Sequence, residues 1–125
     1  RIHENLAFDT RMLHALLRQE VHSQSAAYAD NRLSLFCAQY GKCAVTGQIF
    51  ETLGDIHCHH KLPQAMGGND NYQNLILVQE SVHILIHATS EPTIAKYLSQ
   101  LALNKKQLAK LNKLRKEAGN PPISA

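Results

Sequence analysis

Residues 55–87, DIHCHHKLPQAMGGNDNYQNLILVQESVHILIH, hold five of the chain's eight histidines, in two groups. His57, His59 and His60 form the first, in a short run that ends at Lys61-Leu62-Pro63. His83 and His87 form the second. Side chains four apart on a helix project from one face, one turn apart. His83 and His87 can therefore aim two imidazoles at one ion. Residues 79–88 lack Gly and Pro and carry apolar Val82, Leu85 and Ile86, so a helix is expected there. His59 would come from a second element, the end of an extended segment. The fold then has to join two distant groups around one divalent metal. Three ligands from two elements leave coordination positions open, which marks a catalytic site rather than a closed structural one.

At 125 residues the chain suits one domain with a sizeable core. Its hydrophobic fraction of 44% and charged fraction of 18% fit a globular protein. The formal charge of +3 is mildly basic and compatible with an anionic partner. No apolar run approaches a bilayer span, and no signal-peptide pattern stands at the start. The chain begins at Arg1, which leads us to expect a fragment or a processed product. Cys37, Cys43 and Cys58 are an odd count without a CxxC pair. We expect buried or half-buried thiols in a reducing, cytoplasmic setting.

Asp9 or Thr10 caps a helix expected to reach about Val21, with Met12, Leu13, Leu16 and Leu17 as its apolar stripe. His14 and His22 are expected on the surface. Residues 22–27, HSQSAA, read as a linker or turn. A second helix starts at Asp30 or Asn31 and runs to about Tyr40, with Leu33, Phe36 and Cys37 inward and Gly41 as its stop. Residues 42–51 hold β-type residues on both sides of Thr46-Gly47, as a short hairpin arm or a turn between extended pieces. Residues 56–60 are expected to be extended. Pro63, Gly67-Gly68 and Asn69-Asp70-Asn71 mark a loop, and Gly67-Gly68 serve the turn. Asn74-Leu75-Ile76-Leu77-Val78 leads into the histidine helix. Two more helices follow: one from about Pro92 to Leu101, with Ser90 or Glu91 near its start, and one from about Lys105 to Ala118. Asn104 should cap the last, and Gly119 and Pro121-Pro122 should end it. That helix carries Lys105, Lys106, Lys110, Lys113, Arg115 and Lys116 against Glu117. It is either a solvated surface helix or a phosphate-contacting one.

The pattern His59-His60, Pro63, Gly67-Gly68, Asp70, Asn74-Leu75, His83 and His87 resembles the HNH nuclease motif. The flanking text RLSLFCAQYGKCAVTG, IHCHHKLP and NLILVQESVHILIHA is similar to the C-terminal endonuclease domain of group II intron-encoded reverse transcriptase/maturases. The resemblance implies an α+β fold: a ββα-metal core, with a short two-stranded hairpin and a helix, flanked by N-terminal and C-terminal helices. Residues 1–27 would then be an N-terminal helix and linker, and residues 28–125 the endonuclease domain, with its core at 42–88. Carried over, His59, His83 and His87 are metal ligands, His60 is the general base, and Asn74 steadies the loop through backbone hydrogen bonds. The implied ion is Mg2+ or Mn2+, with Zn2+ or Ni2+ also suited to a His-rich site. Many relatives carry two CxxC pairs around a structural zinc. The corresponding positions here are Cys43, Thr46, Gln79 and Val82. One thiolate cannot make a four-cysteine site, so no structural zinc is expected.

The function so implied is metal-dependent hydrolysis of a DNA phosphodiester, nicking one target strand for intron mobility. DNA is the expected partner, with intron RNA reached through a larger reverse transcriptase chain, and no membrane. Lys42, Lys61, Lys106, Lys110 and Lys113 are candidate phosphate contacts. Strand alternation can put His57 on the face of His59, where it is either an ordinary exposed strand histidine or one that touches substrate or metal. Two alternatives stand beside this reading. One is a nucleic-acid-binding module that kept the fold but lost catalysis, against which the intact His59-His60 pair argues. The other is a closed structural metal domain, which three good ligands disfavour.

Overall fold

The computed structural model describes residues 10–18 and 25–124. Along the chain the described helices are α1 (Thr10–Arg18), α2 (Ala26–Ala38), α3 (Glu80–His87), α4 (Glu91–Leu101) and α5 (Lys105–Glu117). Two strands, β1 (His57–His60) and β2 (Leu75–Val78), lie between α2 and α3. The fold is therefore α+β, with a two-stranded antiparallel hairpin followed directly by a helix. Among the described residues no helix is long and apolar enough to cross a membrane.

The strand register pairs His57 with Val78, Cys58 with Leu77, His59 with Ile76 and His60 with Leu75. Alternation along a strand sends His57 and His59 to one face and Cys58 and His60 to the other. The first face meets α3, where His59 packs against His83 and His87. The second meets α2, where Tyr28 stacks on His60. The hairpin is thus sandwiched between two helices, and its two sides carry different histidines.

Leu77, Val78, Val82, Leu85, Ile86 and Leu111 are fully buried at the centre, beside Phe36 and Phe50. Each such side chain stabilises the fold by roughly 1.5–3 kcal/mol relative to exposure. Residues 42–49 close on one β-bridge between Lys42 and Ile49, a turn rather than a hairpin arm. Gln39 acts as a surrogate strand for β2: its Nε2 donates to Leu77 O at 2.9 Å and its Oε1 accepts from Leu77 N at 3.0 Å.

Helix α2 begins at Ala26, four residues before the expected Asp30. The Ser25 hydroxyl accepts from Tyr28 N at 3.0 Å and caps it. A Ser cap followed by two strong helix formers outweighs the small, polar look of the segment. With that phase Arg32, Leu35 and Phe36 face inward, and Cys37 is exposed rather than buried. In α1, Leu16 is buried and His14 is exposed. Asp9, Val21 and His22 lie outside the described residues. Helix α4 begins at Glu91, with Ser90 at the cap position and Pro92 in the first turn. Helix α5 starts from a full capping box, in which Asn104 and Gln107 satisfy each other's backbone N–H groups.

Arg115 departs most from its expected surface setting, for it is 2% exposed. Its guanidinium donates to Leu85 O at 2.5 Å and Ala88 O at 2.9 Å, and Nε donates to Pro121 O. Asn120 Nδ2 donates to Ile86 O at 2.8 Å. These groups satisfy carbonyls that the end of α3 leaves without intrahelical partners, and the cation complements the negative end of the helix. At the other end, the Asp55 carboxylate accepts from Glu80 N at 3.0 Å. Both ends of the histidine helix are pinned by distant side chains.

Candidate metal centre

His83 and His87 sit one turn apart on α3, and β1 brings His59 over them. Their ring centroids form a near-equilateral triangle: His59 to His83 5.2 Å, His59 to His87 5.2 Å, His83 to His87 5.0 Å. One ring nitrogen from each lies within 4.8 Å of the other two, close enough to bind a metal ion. His59 is 2% exposed, and its Nε2 is buried without a hydrogen-bond partner. A buried imidazole nitrogen left unpaired costs roughly 1–3 kcal/mol, a cost that a coordinated cation would remove. The residues therefore fit an ion by ligand type, spacing and an unmet bonding need.

Burial pushes the His59 imidazole down to about 3, with His83 and His87 adding repulsion. Burial, then His87 and His57, lowers His83 to about 4. His87 is shifted the same way by burial. All three shifts favour neutral imidazoles, the form that ligates. The ordinary value is 6.5, so the unfolded chain takes up protons that the folded chain refuses. Stability of the metal-free protein should be whole above pH 6.5 and should fall as pH drops toward about 4. The slope is up to about 1.4 kcal/mol per pH unit for each of these histidines. Urea midpoints followed from neutral pH downward check this. A midpoint that stays level across that range would contradict it.

His57 stands beside this group. Its Nδ1 is 2.9 Å from Nδ1 of His83, with ring centroids 5.0 Å apart and edge to face. It is not one of the three residues whose ligand atoms cluster.

His60, the neighbour of His59, does not join the trio. Its Nε2 lies 2.8 Å from Oδ1 of Asp70, and its ring stacks on Tyr28 at 5.8 Å. Asp70 also accepts from the Ser25 hydroxyl at 2.5 Å, and its backbone carbonyl accepts from Asn31 Nδ2 at 2.8 Å. The bond from Ser25, then that from His60, holds the Asp70 carboxyl below its ordinary value. An ionised carboxylate only accepts, so Nε2 of His60 carries a proton, which leaves Nδ1 as the nitrogen that can take up another. Burial raises the Tyr28 hydroxyl to about 12 and the Cys58 thiol to about 11, and the two share a hydrogen bond. Tyr28 is therefore a neutral wall to His60.

Asn74 ties the connecting loop to the strand end. Its Oδ1 accepts from Leu62 N at 2.9 Å, and its Nδ2 donates to Leu62 O at 3.1 Å and Asn69 O at 2.8 Å. Its carbonyl accepts from Lys61 N at 2.7 Å. Gly68 permits the closeness of that loop: a Cβ there would meet Leu62 O at 1.8 Å. Gly67 turns the chain at φ 95°.

Of the candidate phosphate contacts, Lys61, Lys110 and Lys113 line one cleft with Ile76, Leu114 and Glu117. Lys106 and Lys110 line a neighbouring cleft. Lys42 lines neither of these two. Asp70, Ser25 and Tyr28 carried no assigned role in the sequence reading. Asp70 lay within the quoted motif, but its partners are 10 and 45 residues away and leave no periodic trace. Comparison with family models, with curated proteins and with solved structures found no match.

Proposed function

We propose that this chain is a metal-dependent endonuclease of the HNH type that hydrolyses a DNA phosphodiester bond. The observation that carries the reading is the convergence of His59, His83 and His87, with the buried Nε2 of His59 unpartnered among the described residues. Three features agree with it. The hairpin and helix follow in the order β1, β2, α3. Asn74 braces the loop between the strands. Three of the four positions where relatives hold zinc thiolates are in contact: Thr46 Oγ1 donates to Gln79 Oε1 at 2.7 Å, and Gln79 N donates to Cys43 Sγ at 3.4 Å.

His59, His83 and His87 would hold the ion. When bound, a divalent metal supplies neutralisation of charge on the phosphate and on the departing 3′ oxygen. Three neutral imidazoles suit Zn2+ or Ni2+ by ligand type, and Mn2+ and Mg2+ remain within the proposal. His60 takes a proton from water through Nδ1, while Asp70 keeps its Nε2–H occupied. Lys61, Lys106, Lys110 and Lys113 line two neighbouring clefts and would contact the phosphate backbone, with a salt-dependent affinity. In the resembled family the cut exposes a 3′ end for reverse transcription of an intron, which is the role proposed here. Supercoiled plasmid should become nicked circle with Mn2+ and stay intact with chelator. Binding without nicking in any of these metals would leave the binding-module reading in its place, and equal nicking in chelator would overturn the metal dependence.

A further inference from the structure

His57 is half-buried on the same strand face as His59, yet it stands outside the trio. What it touches is the ring of a ligand. The contact joins two Nδ1 atoms at 2.9 Å, so one must donate and the other accept. If His57 donated, His83 would keep its proton on Nε2 and would have no lone pair for an ion. If His83 donates, its Nε2 is bare and the metal can use it. A ligating histidine commonly gives its other N–H to an acceptor, which sets tautomer and ring orientation.

We infer that His57 is a positioning residue for the metal centre: its Nδ1 accepts from Nδ1–H of His83 and turns the Nε2 lone pair of His83 toward the ion. The acceptor is a neutral imidazole where metal sites more often use a carboxylate or a backbone carbonyl. His57 in turn carries its proton on Nε2. This rests on the metal reading above, and the test separates the two.

Co2+ and Zn2+ titrations of the full chain supply the readout, with Co2+ absorption reporting the ligand set. His57→Phe keeps a ring but cannot accept; His57→Asn places an amide oxygen close to where Nδ1 stood. The expected result is a roughly 10- to 100-fold loss of affinity in His57→Phe, an unchanged Co2+ spectrum, and recovery in His57→Asn. Equal affinity in His57→Phe overturns the inference, and so does failure of His57→Asn to recover. A Co2+ spectrum with a lost nitrogen makes His57 a ligand and also overturns it. If His57→Phe does not fold, nitrogen-15 spectra of the unmutated Zn2+-loaded chain decide the matter: His83 must be protonated at Nδ1. A parent chain that binds neither metal would remove the metal reading itself, and this inference with it.

Discussion

His60→Ala should slow strand cutting by about a hundred- to ten-thousand-fold, the usual contribution of general-base catalysis, while metal affinity stays at the parent value. The two halves of that expectation come from the two faces of β1. His60 points to the α2 side, where it meets Tyr28 and Asp70, and the three clustered histidines belong to the α3 side. Removing its ring leaves His59, His83 and His87 in place. The loss should fall in kcat rather than in KM, because the ring acts on water and not on the bound strand. Single-turnover cleavage together with a metal titration checks both halves. Cutting at the parent rate would show that another group removes the proton. A parallel loss of metal affinity would show that His60 belongs to the metal site after all.

His87→Ala should abolish metal binding and activity together while sparing the fold. His87 is exposed, so its removal leaves no buried cavity. His83→Ala should give the same functional loss from a more buried position. Anything that binds the folded chain alone raises its stability, by about 2.7 kcal/mol at a hundredfold excess over the dissociation constant. The parent should therefore melt higher with Mn2+ or Zn2+, and His87→Ala should melt at one temperature with or without metal. A metal-dependent rise that persists in both variants would remove these residues from the site.

The local features of this protein could be read directly from the string of residues. The four-residue spacing of His83 and His87 and the apolar residues between them depend on helix periodicity, which acts within two turns. The cap at Asn104 and the loop around Gly67-Gly68 depend on equally local rules. The apolar spacing of Leu108, Leu111 and Leu114 along α5, where Leu111 and Leu114 are buried, follows the same helix periodicity.

What the tertiary structure alone decided were the partners of those features, because packing chooses between residues that no short-range pattern connects. Pairing His57–His60 with Leu75–Val78 set which histidine meets α3 and which meets α2. Ser25 reached Asp70 across 45 residues, and Arg115 reached Leu85 across 30. In sequence Arg115 reads as one more surface cation; only the burial of α3's final turn, whose carbonyls need donors away from water, turns it into a cap. The residue types and strand alternation separated His59 from His60, and only the packing of the hairpin decided that His59 clusters with His83 and His87 on one side while the His60 ring meets Asp70 on the other.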